Sequence, residues 1–472
     1  MDEVSVHIST ICDKLRHGGT MEERTIDRDY LQELLDKKEY MTLRQTFGEM
    51  YPADIAAIMD DMENPDSLKM FRILPKSMAV DVFAELEVDD QQYIITSLSD
   101  VEATNIIDNL MADDATDLLE EMPANLVKKI LANAKPETRK SINHLLRYPE
   151  DSAGSIMTVE FVDLRENMTV SQAIDRVRKK GPDSETTNLC YVVDNQRVLK
   201  GIVALRYLLM KQADDVIGSF MNENVISVNT HTDQEEVAEM FRKYGFIAMP
   251  VVDNEDRMVG IITIDDVIDI QVEEATEDIE KMAAILPTDK PYFKVGILET
   301  YKTRMPWLLL LMISATFTGA IITHFNDALS SYITLTSYIP MLMDTGGNAG
   351  SQASVSIIRG ISLGEVEFKE LGSAIWKEIR VAFLCGVTLS AANFVKLLVL
   401  DRLALPVALV ICLTLVIVVL IAKLVGCTLP LLAERIGFDP AVMASPLITT
   451  IVDAISLMVY FTLATNLLHL AV

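Results

Sequence analysis

Residues 343–354 read MDTGGNAGSQAS and lie inside an apolar stretch near the end of the chain. Asp344, Asn348, Ser351, Gln352 and, two residues further, Ser356 are polar side chains where hydrocarbon would surround an ordinary spanning helix. Polar groups are costly there, so they face a cavity, an ion path or another helix. Gly346, Gly347 and Gly350 interleave them, and glycine lets a helix open or a second backbone approach, turning carbonyl oxygens toward a cation. The last apolar segment adds one carboxylate, Asp453, after Pro446 and beside Thr449 and Thr450. An all-oxygen set without His or Cys suits Mg²⁺, Ca²⁺ or Mn²⁺. Helix packing is the competing reading: Gly346, Gly350 and Ser354 form a small-xxx-small pattern that Asn348 and Gln352 could complete with interhelical hydrogen bonds. It explains Asp453 less well, because a carboxylate in mid-span needs a proton, a partner or an ion.

A second acidic constellation is IDDVIDIQVEEATEDIEKM at 264–282, which carries Asp265, Asp266, Asp269, Glu273, Glu274, Glu277, Asp278 and Glu280 before its first cation, Lys281. At helical spacing Glu273 with Glu277, and Glu274 with Asp278, are like-charge pairs, each unfavourable by roughly 0.2–0.5 kcal/mol. Divalent ions bridging this helix to Asp113, Asp114 and Asp117 of the acidic MADDATDLLEE would relieve that repulsion, and a solvated acidic face is the alternative.

The elements that must position these residues fall into three regions. From about Tyr51 to Tyr148, short amphipathic helices are punctuated by Pro and acidic caps, with apolar residues at three- and four-residue steps such as Leu118, Leu119 and Met122. Helices this short predict stacked pairs in a right-handed superhelix, with a compact bundle as the alternative. The next region repeats itself: YVVDN at 191–195 returns as PVVDN at 250–254, and Gly201-Ile202 as Gly260-Ile261, both at an offset of 59 residues. Each unit reads as strand, helix, strand, polar turn, strand, helix. The IMT, VVDN and GI(I/V) elements resemble a tandem pair of CBS domains over about 150–270, which are regulatory modules that often bind adenine nucleotides; the sequence shows no convincing nucleotide pocket.

From Pro306 onward five apolar segments follow, at about 306–325, 332–360, 378–400, 403–433 and 440–470. Each is long enough to cross a hydrocarbon layer of roughly 30 Å. Lys302 and Arg304 precede the first; Arg359, Lys369, Lys377 and Arg380 join the second to the third; Arg435 lies between fourth and fifth. Arg402, with Lys396, is an exception in the short third link. The positive-inside rule places the N-terminus in the cytoplasm and the C-terminus outside.

Residues 301–472 hold 10 basic and 10 acidic residues, so the whole net charge of −28 belongs to the first 300. Such a surface repels nucleic acid and anionic lipid and attracts small cations. The five cysteines (Cys12, Cys190, Cys385, Cys412 and Cys427) show no ligand spacing and predict no disulfide framework. No cleaved signal peptide is expected. No P-loop is present, so transport driven by ATP hydrolysis is not expected, and neither Asp344 nor Asp453 lies in the GxGD motif of an intramembrane aspartyl protease.

The acidic helical region, the CBS pair, the connecting EEATEDI and the MLMDTGGNAGSQAS segment together resemble the MgtE family of magnesium channels or transporters, from about residue 30 to the C-terminus. The resemblance implies a multidomain membrane protein and no enzyme: an extension at 1–30, an all-α superhelical N-domain at 31–148, α/β tandem CBS domains at 149–270, a connecting helix at 271–303 and a five-span helical transmembrane domain at 304–472. It implies a homodimer in the lipid of the plasma or inner membrane, with Mg²⁺ as both substrate and regulator and ATP as a candidate ligand of the CBS pair. Asp453 would hold the ion, with Gly346, Gly347, Asn348 and Ala349 lining the pore. Cytoplasmic Mg²⁺ would close the pore through Asp266, Asp269, Glu274, Glu277 and Asp278, Glu235 of the second CBS unit, Asp113 and Asp117 of the N-domain, and Asp439 at the start of the fifth span. Co²⁺, Mn²⁺ or Ca²⁺ as cargo, and a membrane-anchored CBS sensor without transport, are the other readings.

Overall fold

A helix of two or three turns cannot shield its apolar face alone, and the first region solves this by stacking. The computed structural model describes residues 27–469 apart from 77, 289, 291, 326–332 and 444; Cys12, most of the 1–30 extension and the link between the first two apolar segments lie outside the described residues. Among the described residues ten short helices come first: α1 (Arg28–Asp36), α2 (Tyr40–Phe47), α3 (Pro52–Asp60), α4 (Asn64–Ile73), α5 (Ala79–Ala84), α6 (Val88–Ser97), α7 (Asp100–Ile107), α8 (Ala112–Glu120), α9 (Ala124–Asn133) and α10 (Pro136–Leu145). Proline opens α3 and α10, where its missing N–H costs nothing. Ser99 and Glu102 close a capping box on α7. Most of these helices pack against the next but one: α2 on α4, α4 on α6, α6 on α8, α8 on α10, with α3 on α5 and α7 on α9 in a second row. Two rows of stacked helices are the superhelical arrangement that the short periodic segments predict. Leu43, Phe47, Ile55, Met59, Phe83 and Ile94 fill the core between the rows.

The repeat folds as two small sheets. In the first, β1 (Phe161–Leu164) runs parallel to β2 (Thr186–Val193), which pairs antiparallel with β3 (Leu199–Ala204). In the second, β4 (Val228–Asn229), β5 (Ala248–Val252) and β6 (Met258–Thr263) follow the same order. Helices α11 (Val170–Lys180), α12 (Leu205–Met210) and α13 (Gln234–Tyr244) accompany the strands. Val192 faces Gly201 as Val251 faces Gly260, and both ladders break register one residue later. The lead-in of each unit pairs with the other unit: Thr158 exchanges backbone hydrogen bonds with Ile261 of β6, and Asn222 with Ile202 of β3. Gly260 is needed there, because a Cβ would stand 2.6 Å from the carbonyl oxygen of Thr158.

After β6 the long acidic helix α14 (Ile264–Met282) begins, and the chain divides into two compact units, one ending at Val267 and one starting at Ile268. The second unit contains α15 (Ile297–His324), the short α16 (Ile333–Thr336), α17 (Ile339–Ser362), α18 (Leu371–Val399), α19 (Leu405–Arg435) and α20 (Ser445–Leu468). Among the described residues, α15, α18, α19 and α20 are long and apolar enough to cross a membrane. Helix α17 has 24 residues, enough for about 36 Å at 1.5 Å per residue, but carries the polar motif. The most buried helix is α19, packed on α17, α18 and α20, whereas α15 leans on α20 and buries none of its own residues. Cys190, Cys412 and Cys427 are buried free thiols and Cys385 is half-buried and free.

One charged pair holds α18 to α19. The Lys423 Nζ lies 3.5 Å from Glu378 Oε2, with both side chains almost fully shielded. In Glu378→Gln the amide oxygen still accepts from the ammonium, but the counter-charge is gone. A loss of roughly 1–3 kcal/mol is expected, read as a lower melting temperature in detergent. The double variant Lys423→Met/Glu378→Leu should recover most of it, because an apolar pair needs no desolvation of charge.

Candidate functional site

The polar motif divides by face. Gly346, Gly347, Ala349 and Gly350 are buried on one side of α17. A Cβ on Gly346 would stand 2.7 Å from Val418 of α19, one on Gly347 3.0 Å from Thr449 of α20, and one on Gly350 2.8 Å from Ile448 of α20. Gly426 of α19 meets the carbonyl oxygen of Gly350 so closely that no Cβ fits. The small residues thus let three helices of one chain approach, as the packing reading requires. The opposite side is different: Asp344, Asn348, Gln352 and Ser356 repeat every fourth residue and are all exposed in the single chain. Half-buried Asp453 of α20 lies within electrostatic range of Asp344, and Thr449 and Thr450 below it donate their hydroxyls to the Pro446 carbonyl. The motif serves both readings, one on each face of the helix.

A carboxylate cluster forms in the first unit. Asp113, at the first turn of α8, is buried with 6% of its surface exposed, and Asp114 beside it is half-buried. Asp266, whose Oδ2 accepts from the Thr263 hydroxyl at 2.7 Å, is close enough to repel both. Glu185, just before β2, completes the group with Glu160 and Asp265. Burial and then the repulsion of Asp114 and Asp266 push Asp113 well above the usual carboxylate range. Burial, with Asp266 next, raises Asp114 to about 6; burial, with Asp265 and Asp266 next, raises Glu185 to about 7. A set of oxygen donors that resist ionisation in each other's company fits a hard divalent cation. Sequence reasoning placed Asp113 and Asp266 together but missed Glu185 and Glu160, which come together because the parallel strands β1 and β2 begin side by side, the Glu185 N–H donating to the Glu160 carbonyl at 2.9 Å. Asp117 and Glu235 are exposed, the first on α8 and the second at the start of α13.

A second group lies within the other unit. Lys281 Nζ bridges Glu277 Oε1 at 2.5 Å and Asp439 Oδ2 at 2.6 Å. Burial opposes its charge, but the hydrogen bonds to Asp439 and Glu277 hold the ammonium above its ordinary range. Asp278 accepts from the Ser362 hydroxyl at 3.1 Å, and burial raises its carboxyl, helped by Asp439. Met282 packs on Ile358 and Ala441, so the end of α14 is seated on the ends of α17 and the turn before α20. The cation at this site is the chain's own, a partner that sequence reasoning missed. Asp269 is exposed and Glu274 half-buried on α14. Among the described residues no three His, Cys, Asp or Glu side chains converge closely enough to ligate one bare ion. Mg²⁺ normally keeps several waters, so contact through its hydration shell needs no such convergence.

Comparison with known proteins identifies the three regions. A family described as a divalent cation transporter matches residues 339–463, the MgtE intracellular N domain matches 50–151, and CBS domains match 153–214 and 217–273. The chain is 36% identical to a magnesium transporter, MgtE, of Thermus thermophilus over 93% of this chain and 98% of that protein. It is 31% identical to a magnesium transporter of the same name from Bacillus subtilis over 92% of this chain and 96% of that one. A crystal structure of the cytosolic domain of the Mg²⁺ channel MgtE in complex with ATP is similar at 36% identity and a TM-score of 0.49, covering 52% of this chain and 99% of that one. With an acidic helical stack, a CBS pair and an apolar bundle carrying one polar helix face, this chain belongs to the MgtE family of divalent cation transporters.

Proposed function

We propose that the chain conducts Mg²⁺ across the membrane and that cytoplasmic Mg²⁺ closes it. The observation that carries this reading is the exposed stripe Asp344, Asn348, Gln352 and Ser356 beside Asp453, on the outward face of a bundle whose core is mainly apolar. Lipid does not solvate such a stripe. A second copy of the chain, facing it across a two-fold axis, would enclose it in a water-filled path, and α15, which has no fully buried residue, supplies further surface for a partner or lipid. In this homodimer Asp453 holds the hydrated ion, Asn348 orders its water, and the backbone of Gly346, Gly347 and Ala349 forms the wall behind. Five spans, with α17 as the second, put the acidic N-terminal regions in the cytoplasm and the C-terminus outside, as the basic links favour. The proposed CBS pair is at 149–270 as in the sequence reading, but the connecting helix expected at 271–303 is α14, Ile264–Met282, and residues 297–303 already belong to α15.

Closure follows from charge. Without ions the cluster of Asp113, Asp114, Glu185 and Asp266 repels itself, and with Mg²⁺ the N-domain and CBS carboxylates are drawn together. Ions that bind the closed state better shift the population to it. Asp117, Glu235, Asp269 and Glu274 add negative field, and Glu277, Asp278 and Asp439 form the site nearest the spans. Here Lys281 competes with the ion. Lys281→Gln frees two carboxylates, so the cytoplasmic Mg²⁺ concentration giving half-maximal closure should fall roughly three- to tenfold, as for loss of one charge-assisted contact. Flux titrations against cytoplasmic Mg²⁺ read this, and an unchanged or higher midpoint removes the competitor role.

The CBS pair is the expected adenine-nucleotide module. Its cleft of about 410 Å³ sets the carboxylates of Glu166 and Asp194 against one guanidinium, that of Arg165, already bonded to backbone carbonyls. That lining does not fit a triphosphate, and no step of gating is routed through ATP. The deciding experiment is Mg²⁺ uptake into proteoliposomes. Uptake that declines as cytoplasmic-side Mg²⁺ rises supports the proposal; liposomes that pass no divalent ion leave the membrane-anchored sensor as the better reading.

A further inference from the structure

Within the first unit of this acidic chain lies a basic cleft. Between α10 and the turns that end β2 and begin β6 lies a space of about 530 Å³, lined by Lys140, Ser141, His144, Arg147 and Arg197 over a floor of Val159 and Val259. That volume is in the range of small-molecule sites. Among the described residues, no ion pair within 4.0 Å engages Lys140, Arg147 or Arg197, although acids outnumber bases in the chain 69 to 41. Their side chains crowd one imidazole: burial, then Arg147, Lys140 and Arg197, hold His144 below its ordinary range. Asp253, the acid nearest Tyr148 at the rim, turns its Oδ1 to the backbone N–H groups of Glu255 and Arg257 rather than to the cleft.

The repeat supplies a second observation. Arg197 sits at φ 68°, in the left-handed region, with its N–H on the Asp194 carbonyl and its own carbonyl accepting from Met258. Asp256, 59 residues on, occupies the same turn of the second unit at φ 57°. Aspartate tolerates that conformation better than arginine does. The first unit therefore keeps a guanidinium at a backbone position where its own repeat uses the cheaper residue, and the side chain it keeps lines the cleft.

We propose that this cleft binds a small oligophosphate anion, gripped by Lys140 and Arg147 from α10 and by Arg197 from the β2–β3 turn, with His144 at its edge. The ligand would tie the last helix of the N-domain to the CBS pair. It is a site separate from the carboxylate cluster and from the Arg165 cleft, and it does not depend on the transport reading.

The test is calorimetric titration of the full-length protein in detergent, in EDTA, with inorganic triphosphate as probe. One saturable site per chain is expected. Arg197→Asp, which copies the repeat and should fold at least as well, and Arg147→Gln should each weaken it about tenfold or more, as for a lost charge-assisted contact. Lys179→Asp, exposed on α11 outside the cleft, should leave it unchanged. ATP that competes with triphosphate identifies a nucleotide as an acceptable ligand and supports the site. No saturable binding at millimolar probe, equal weakening by Lys179→Asp, indifference to both arginine variants, or displacement of triphosphate by adenosine would each overturn the proposal.

Discussion

Asp453→Asn is expected to reduce Mg²⁺ flux in proteoliposomes by about 100-fold or more, with the protein still folded and inserted. Two unit charges 4 Å apart interact by about 4 kcal/mol at an effective dielectric of 20, and a divalent ion doubles that. Even when a water layer halves the gain, what remains exceeds the 2.7 kcal/mol that a 100-fold change in rate requires. Asparagine keeps the size and hydrogen-bonding capacity of the side chain, so packing against α17 is preserved. The same substitution at Asp344, exposed at the edge of the stripe, should have a smaller effect. Flux in the Asp453 variant within about threefold of the parent would mean that the ion path lies elsewhere, and the polar face of α17 would revert to a helix contact.

The carboxylate cluster predicts a stability that falls with rising pH in the absence of divalent ion and is nearly independent of pH in its presence. Asp114 rises from 3.8 to about 6 on folding and Glu185 from 4.5 to about 7. A carboxyl whose pKa is raised binds its proton more tightly when folded, so its contribution is intact below about pH 4 and is lost as pH climbs through 6 and 7. In EDTA the first unit should lose roughly 2–3 kcal/mol between pH 5 and 8 after discounting for solvent screening, a fall of about 5–10 °C in melting temperature. Millimolar Mg²⁺ should flatten the profile, because the ion replaces the protons. Asp114→Asn should raise the melting temperature at pH 8 in EDTA and blunt the response to Mg²⁺. Circular-dichroism melts of the whole chain in detergent, with proteolysis to follow the first unit, give the profile. A flat profile in EDTA would show that the cluster is solvated and holds no ion.

Much of this molecule was legible in its sequence, and the remainder shares a physical cause. The 59-residue repeat, the short stacked helices and the polar motif are local patterns, set by periodicity and turn chemistry within a few dozen residues. Asp113 and Asp266 could be paired because each belongs to a conspicuous acidic run. Glu185 and Glu160 stand singly in ordinary surroundings, and only the pairing of strands brings them to that edge. Lys281 and Asp439 lie 158 positions apart and meet within one unit. Lys423 was not singled out in the sequence, and its partner on α18 follows from helix packing alone. The glycines were the subtler case: sequence offered pore or packing as alternatives, whereas a helix has two sides and the motif uses both.

The exchange of lead-in segments between the CBS units bears on how the chain can come apart. Thr158 completes the ladder of β6, and Asn222 completes that of β3. Each half thus carries an edge of the other's sheet, and neither is whole by itself. The pair should melt as a single cooperative step, and a cut between the two repeats should yield fragments that fold only when mixed. The CBS pair is then one cooperative body and not two beads on a string.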